Sequence, residues 1–525
     1  MRGERAIFLP QQWFLGCWLL GFMIAPIGAF CQVSPSRTMP SVPHTGTSAS
    51  LEESFQRAVT LFNSGKLDDA EAIFRRLNAS DPNNVSVVTY LGLIALRRRD
   101  YAGALEPLKR AVQLQPNQPE THINLGNAYD GLKRYTDAIG EFQRAIALDP
   151  KSVSAYYDLG SVYFETKEYA KAVDAYRHAA SLSPNDPEVQ NNYGVALEAA
   201  GNLSAAVQAY TRAHQRDPHN ATYALNLGLA LQKMARKAQA AHNLDRAGAL
   251  WRQARIALAD AVAQEPNNYA LRETYAEALD EMGEYSLAVP QFQKALALKP
   301  ESFRTYFHFG ITLAHLGRYA QAAPVLQHAL SLHPDDPQTL RLIGFVEYKI
   351  GNYSAAAHAY QRLTELDPHD LAAWNNLGAA LQQAGDEVGA FEALQSALKQ
   401  GDGPQLAPLH RAVGFYYLKK GDPQSLQKAE KEYQTAIQES PDNADGYNGL
   451  GLVEEKEDKL QAALEAFQHA IQLNPKFADA YNNLGVVYER LGKKDQALAA
   501  YRKAVEIDPK NRPARANLKR LSGEK

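Results

Sequence analysis

Apolar and small residues recur along this chain with two periods, one nested inside the other. The short period is helical. Within 119–152, Leu125 and Tyr129 flank Gly126, and Ala138, Phe142 and Ala145 follow at spacings of four and three. Spacing of this kind gathers the apolar side chains on one stripe of a helix. Two stripes separated by Arg134-Tyr135 predict a helix A over about Glu120 to Leu132 and a helix B over about Thr136 to Leu148. Asp149-Pro150 stops the second helix, because proline disfavours helical geometry in the residue before it and has no N–H to donate.

The long period is 34 residues. Pro82, Pro116, Pro150, Pro184 and Pro218 are evenly spaced; the series resumes with Pro266, Pro300, Pro334 and Pro368, and again with Pro441, Pro475 and Pro509. An alanine stands twelve residues before each, from Ala70 to Ala497. A further twelve residues back, most units carry a small residue, usually the glycine of a Leu-Gly pair, as at Gly92, Gly126, Gly160, Gly194, Gly310, Gly344, Gly451 and Gly485. Thirteen units begin at 51, 85, 119, 153, 187, 221, 269, 303, 337, 371, 407, 444 and 478 and together fill 51–511. Ten have 34 residues, while the units at 221, 371 and 407 have 48, 36 and 37. Residues 512–525 start another helix A, rich in Arg and Lys around Leu518, which suits the solvent-facing cap that a stack of repeats needs.

Numbering each unit from its first residue gives slots. Slots 8 and 20 are small so that helix backbones approach closely, and slots 4, 7, 11 and 24 are large and fill the space around them. In 478–511 these slots hold Tyr481, Leu484-Gly485, Tyr488, Ala497 and Tyr501, with Ala504 and Pro509 at 27 and 32. The pattern closely resembles the tetratricopeptide repeat family. The resemblance implies an all-α fold, a right-handed superhelical solenoid of antiparallel helix pairs, with helices A lining the inner surface. The fourteen extra residues of the 221–268 unit lie between Leu231 and Ala254 and hold no proline, so they predict a helix pair longer by about two turns each. Its turn is expected near His242 to Asp245, with Asn243 as a candidate N-cap.

The N-terminus differs from the rest. Arg2 and Arg5 precede an uncharged run from Trp13 to Cys31, with Gly28 and Ala29 near its end. A basic start, an apolar middle and a small-residue exit predict that 1–31 is a secretory signal, cut after Ala29 or Cys31. The run is long enough to serve instead as an uncleaved membrane anchor. A lipidated Cys31 is disfavoured by the bulky Phe30 before it. Either way the repeats are expected outside the cytoplasm, periplasmic or secreted, with 13–31 as the only membrane contact. Residues 32–50, with Pro35, Pro40 and Pro43 among Ser and Thr, predict a flexible tether.

Candidate chemistry is sparse. Both cysteines, Cys17 and Cys31, lie in the N-terminal run, which leaves no thiolate for catalysis or zinc in the repeats. His328 and His333 are five apart and do not form an HExxH pair, and no phosphate-binding glycine motif occurs. Glu454-Glu455 reads as a solvated helix face. The net charge of −3 and the shortness of the Arg97-Arg98-Arg99 run argue against nucleic acid as a partner. No enzyme activity, cofactor or metal is expected.

A partner would bind on the free face of helix A. At 100° per residue, slots 4, 7, 8 and 11 share the buried arc, and slots 2, 6, 9 and 13 point the other way. Slot 6 carries Asn124, Asp158, Asn192 and Asn226 in four successive units, then Asn376 and Asn483. An Asn amide offers a donor and an acceptor to an extended peptide backbone. This ladder resembles that of the repeat arm of eukaryotic O-GlcNAc transferases, interrupted here by Thr274, His308, Leu342, Ala412 and Gly449. The rungs are expected to face water. Arg341, Arg411 and Lys419 do not make the carboxylate clamp of chaperone-binding members. Acidic residues gather on the face in units three to seven, among them Glu120, Asp130, Glu165, Glu188 and Glu198, and would favour a partner with a cationic segment. The expectation is an exported, non-catalytic scaffold binding a protein or peptide. The alternatives are the recognition arm of a separate enzyme such as a glycosyltransferase, and a membrane-anchored assembly factor of the cell envelope.

Overall fold

A computed structural model describes residues 49–401 and 403–523. The segment 1–31 and all but the last two residues of the tether lie outside the described residues, and the first helix begins at Ala49. The described residues hold 27 α-helices and no strand. They form two compact bodies, 49–298 and 299–523. The first contains repeats one to seven, and the second contains repeats eight to thirteen and the final helix.

The third repeat shows how the sequence makes the pair. Helix A is Pro119–Gly131 and helix B is Tyr135–Leu148. Proline at the first helical position carries no N–H that would be left unbonded there. Between the helices Lys133 takes a left-handed φ of 58°. Its counterparts Arg99 and Lys167 do the same, while most other repeats place glycine at this slot, such as Gly201, Gly317, Gly351 and Gly492. After helix B, Asp149 is held extended and its Oδ1 accepts the Lys151 N–H at 2.9 Å. Asp217, Asp367, Asn474 and Asp508 repeat this bond across their prolines. Ser152, Asp186, Asn220 and Asn268 then cap the next helices A.

The core sits where slot 8 meets slot 24. A Cβ added to Gly126 would lie 2.6 Å from the Phe142 ring, and one on Gly485 would lie 2.6 Å from Tyr501. Ala138, Phe142 and Ala145 are fully buried. Glycine is therefore required by the aromatic ring that fills the gap between the helices, and the large residue and the small one are a single packing unit.

In the sixth repeat both helices lengthen, to Ala221–Ala240 and Leu244–Gln264. At 20 and 21 residues against the usual 13 and 14, each gains seven, or about 10 Å. Asn243 caps the second helix, its side chain accepting the Arg246 N–H. The Arg236 guanidinium and the Gln232 amide both bond Glu281, and Arg255 pairs with Glu284 at 2.8 Å, so the long pair is tied to the seventh repeat.

The final helix, Arg512–Ser522, closes the second body. Arg520 pairs with Glu489, Asn517 donates to Asn482 Oδ1 at 3.0 Å, and Asn511 donates to Asp479 at 2.8 Å.

Candidate partner-binding face

The slot-6 ladder does not face water as expected. Asn124, Asp158, Asn192, Asn226 and Asn483 are half-buried, and Asn376 is only 1% exposed. The cause is slot 5, which the sequence reading passed over. Asn226 Nδ2 donates to Asn191 Oδ1 at 2.9 Å, and Asn483 Nδ2 donates to Asn448 Oδ1 at 3.0 Å. Asn192 Nδ2 donates to the Tyr157 hydroxyl at 2.5 Å. Each partner lies 35 residues earlier, at slot 5 of the preceding repeat. Asn191 and Asn482 also donate to the slot-6 amides of their own repeats, Asn192 and Asn483. At the C-terminal end a relay runs from Asn517 through Asn482 and Asn483 to Asn448. The Asn-Asn pairs in the sequence were the signal for this arrangement. These amides join one repeat to the next, which spends the donors that a peptide would need. Asn376 follows Arg341 at slot 5, a residue that offers only donors. Its Oδ1 is buried without a hydrogen-bond partner. Asn124 follows Thr89 and has no side-chain hydrogen bond among the described residues, so its amide is not spent on the neighbouring repeat.

The acidic residues divide into two groups. Glu198 pairs with Lys233 and accepts the Tyr210 hydroxyl at 2.9 Å. Glu281 is held by Arg236, and Glu277 and Asp280 are buried. These carboxylates are part of the architecture. In repeats three to five the situation differs. No lysine or arginine pairs with Asp130, Asp158, Glu165 or Glu188 among the described residues. Asp130 and Asp158 lie on successive helices A and repel each other. Burial, with Glu165 beside it, pushes the Asp130 carboxyl up to about 6. Burial, with Asp130 and Glu188 nearby, pushes Asp158 up to about 7, against the opposing effect of a hydrogen bond from Asn127. Glu188 accepts the Tyr157 hydroxyl at 2.8 Å, and the Tyr135 hydroxyl lies beside Glu165. One Asp130 oxygen is buried and unbonded. The arrangement is a patch of negative charge with hydroxyl and amide donors but no cation.

Other residues singled out in the sequence have structural places. Arg97 stacks on the Phe62 ring and donates to the Phe62 carbonyl at 2.7 Å, while Arg98 bridges Asp68 and Glu71. His328 lies against Tyr306, and His333 stacks on Phe303. Glu454 is a correction: it is half-buried, with its carboxyl pushed up to about 7 by burial and by Glu430. Arg341 pairs with Asp370, Arg411 with Asp445, and Lys419 with Glu387. Among the described residues no cluster of His, Cys, Asp or Glu is placed to hold a metal ion, and no helix is long and apolar enough to cross a membrane.

Tetratricopeptide repeat models match 55–119, 123–187, 179–221, 275–337 and 344–405, with further matches at 456–492 and 478–511. No curated protein sequence matches the chain. Among solved structures, the Cut9–Hcn1 hetero-tetramer of APC/C is similar at 17% identity, covering 90% of this chain and 96% of that one, with a TM-score of 0.36. Yeast Tom70 is similar at 16% identity, with coverages of 77% and 95% and a TM-score of 0.33. MamA is 31% identical over 32% of this chain and 97% of its own, with a TM-score of 0.29. These likenesses concern the fold of stacked helix pairs and carry nothing about partners. With repeat models matching more than half its length, the chain belongs to the tetratricopeptide repeat family.

Proposed function

We propose that this protein is an exported, non-catalytic scaffold that binds a partner protein or peptide along the free faces of helices A, with a cationic segment of that partner seated over repeats three to five. The observation that carries the reading is the group Asp130, Asp158, Glu165 and Glu188, four carboxylates with no cation among the described residues. Elsewhere on the same faces acids such as Glu198 and Glu281 are neutralised from within the chain. A lysine or arginine from outside would supply the missing charge. Complementary charge raises the rate of encounter as well as specificity.

The test uses the purified chain and a labelled peptide series of fixed length carrying zero, two or four lysines. Affinity is expected to rise with lysine number and to fall at least tenfold in Asp130→Asn/Glu165→Gln. A control pair at the starts of helices B, Asp137→Asn/Glu168→Gln, removes the same charge elsewhere. Equal losses in the two pairs would mean a general field effect and no seat. Export is tested separately by fusing residues 1–50 to a reporter, which is expected to leave the cytoplasm.

A further inference from the structure

The second body has a different free face. Slot 9 holds Ile311, Phe345, Ala379, Phe415, Leu452 and Val486, apolar in all six repeats. In the first body the same slot accepts Asn127, Ser161 and Glu277, so stacking does not demand an apolar residue there. Five of the six are half-buried and reach the surface beside their packing contacts. One turn further on, slot 13 carries Lys349, Lys419, Lys456 and Arg490, all exposed. Lys349 lies over the Phe345 ring at 5.5 Å, joining the two rows. Lys456 donates to the Leu418 carbonyl at 3.0 Å, which places its charge at the end of the preceding helix A without neutralising it. Arg490 is neutralised by Glu455 and Asp458, and Lys419 pairs with Glu387. The two acids at slot 2, Asp445 and Asp479, are engaged by Arg411 and Asn511.

We infer that the free face of repeats eight to thirteen docks an acidic amphipathic segment of a partner protein, its apolar residues over the slot-9 row and its carboxylates against Lys349 and Lys456. Charge complementarity selects this occupant, since the apolar row is bordered by lysines and its nearby acids are already bonded within the chain. The inference shares the scaffold reading but is independent of the cationic seat, which lies in the other body.

Random 16-residue peptides displayed on phage would be selected on the immobilised full chain. Binders would then be synthesised and titrated against wild type and three variants. Phe345→Gln/Leu452→Gln removes the apolar contacts, Lys349→Glu/Lys456→Glu reverses the charge, and Asp130→Asn/Glu165→Gln alters only the first body. Circular dichroism melts establish that each variant folds, and the lysine variant keeps the test decisive if the apolar one does not. The expected binders combine Leu, Ile or Phe with Asp or Glu, lose at least tenfold in affinity with either second-body variant, and are unaffected by the third. Cationic binders that lose affinity only with the third variant report the first-body seat; the inference is overturned if no acidic amphipathic peptide is enriched, or if acidic binders survive both second-body variants. Phosphatidylglycerol vesicles that displace the peptide, or self-association lost in Phe345→Gln/Leu452→Gln, would assign the face to lipid or to a second copy and overturn it as well.

Discussion

Replacing Asp158 by Asn should stabilise the first body at pH 8 and change little at pH 4. In the folded chain the carboxyl is pushed up to about 7, whereas its ordinary value is 3.8. The folded state therefore holds a proton between those values that the unfolded chain has released. Stability falls as pH rises across that window, and the penalty is complete above about 7. The full gap corresponds to about 4 kcal/mol at 1.36 kcal/mol per tenfold change in acidity. Asp158 is half-buried beside Asn127, and side chains near it can relax, so about 1–3 kcal/mol is the expected gain. Asn keeps the size and a donor while removing the charge that Asp130 and Glu188 repel. The measurement is urea unfolding at pH 4, 6 and 8, followed by amide exchange in repeats three to five, because a repeat array need not unfold in one step. A difference between variant and wild type that stays constant with pH would refute the argument. So would a variant less stable than wild type at pH 8, which would mean that the carboxylate is favourably bonded there.

Three smaller perturbations test other parts of the structure. Lys133→Gly removes a side chain from a left-handed backbone position and should raise stability by about 1 kcal/mol in thermal melts, with additive gains from Arg99→Gly and Lys167→Gly. Gly126→Ala places a methyl 2.6 Å from the Phe142 ring and should cost about 1–3 kcal/mol; an unchanged melt would contradict the close approach. Asn226→Ala breaks the bond to Asn191 and should cost about 0.5–1.5 kcal/mol, with faster exchange on the flanks of both repeats; an effect on peptide affinity without one on stability would return this residue to the binding face.

The repeat boundaries were legible because the signals that set them are local. A proline after an extended Asp, a small residue facing a large one sixteen positions away, and a short turn before Tyr135 each act within one unit. The length of the sixth helix pair followed from counting, since fourteen residues with no proline had to be shared between two helices. The side-chain bonds between repeats were not legible in the same way. Whether Asn192 offers its amide to solvent depends on Tyr157, which lies 35 residues earlier and belongs to another helical wheel. A wheel drawn on one helix treats slot 6 as free because it omits the neighbour. Glu454 failed for the same reason: its surroundings come from Glu430 on the preceding helix B as well as from its own helix.

The cost of stacking therefore shapes what the free faces can bind. Slots 5 and 6 in the fifth and thirteenth repeats, and slot 6 in the sixth, are committed to side-chain bonds between neighbours, and slot-13 bases such as Arg97, Lys456 and Arg490 donate to the carbonyl at slot 12 of the repeat before. Each use fixes the angle between adjacent helices A, and each removes a donor from the surface. What is left to discriminate partners is slot 9, together with those charges that the chain does not neutralise itself. In the first body those charges are carboxylates, and slot 9 is mixed. In the second they are lysines, and slot 9 is apolar throughout. Two bodies made of one repeating unit thus differ in sign and in polarity at the few positions that stacking leaves open, so a single partner segment complementary to one is mismatched to the other. Under the two readings proposed above, a chain that engages both would carry a basic stretch and an acidic amphipathic one.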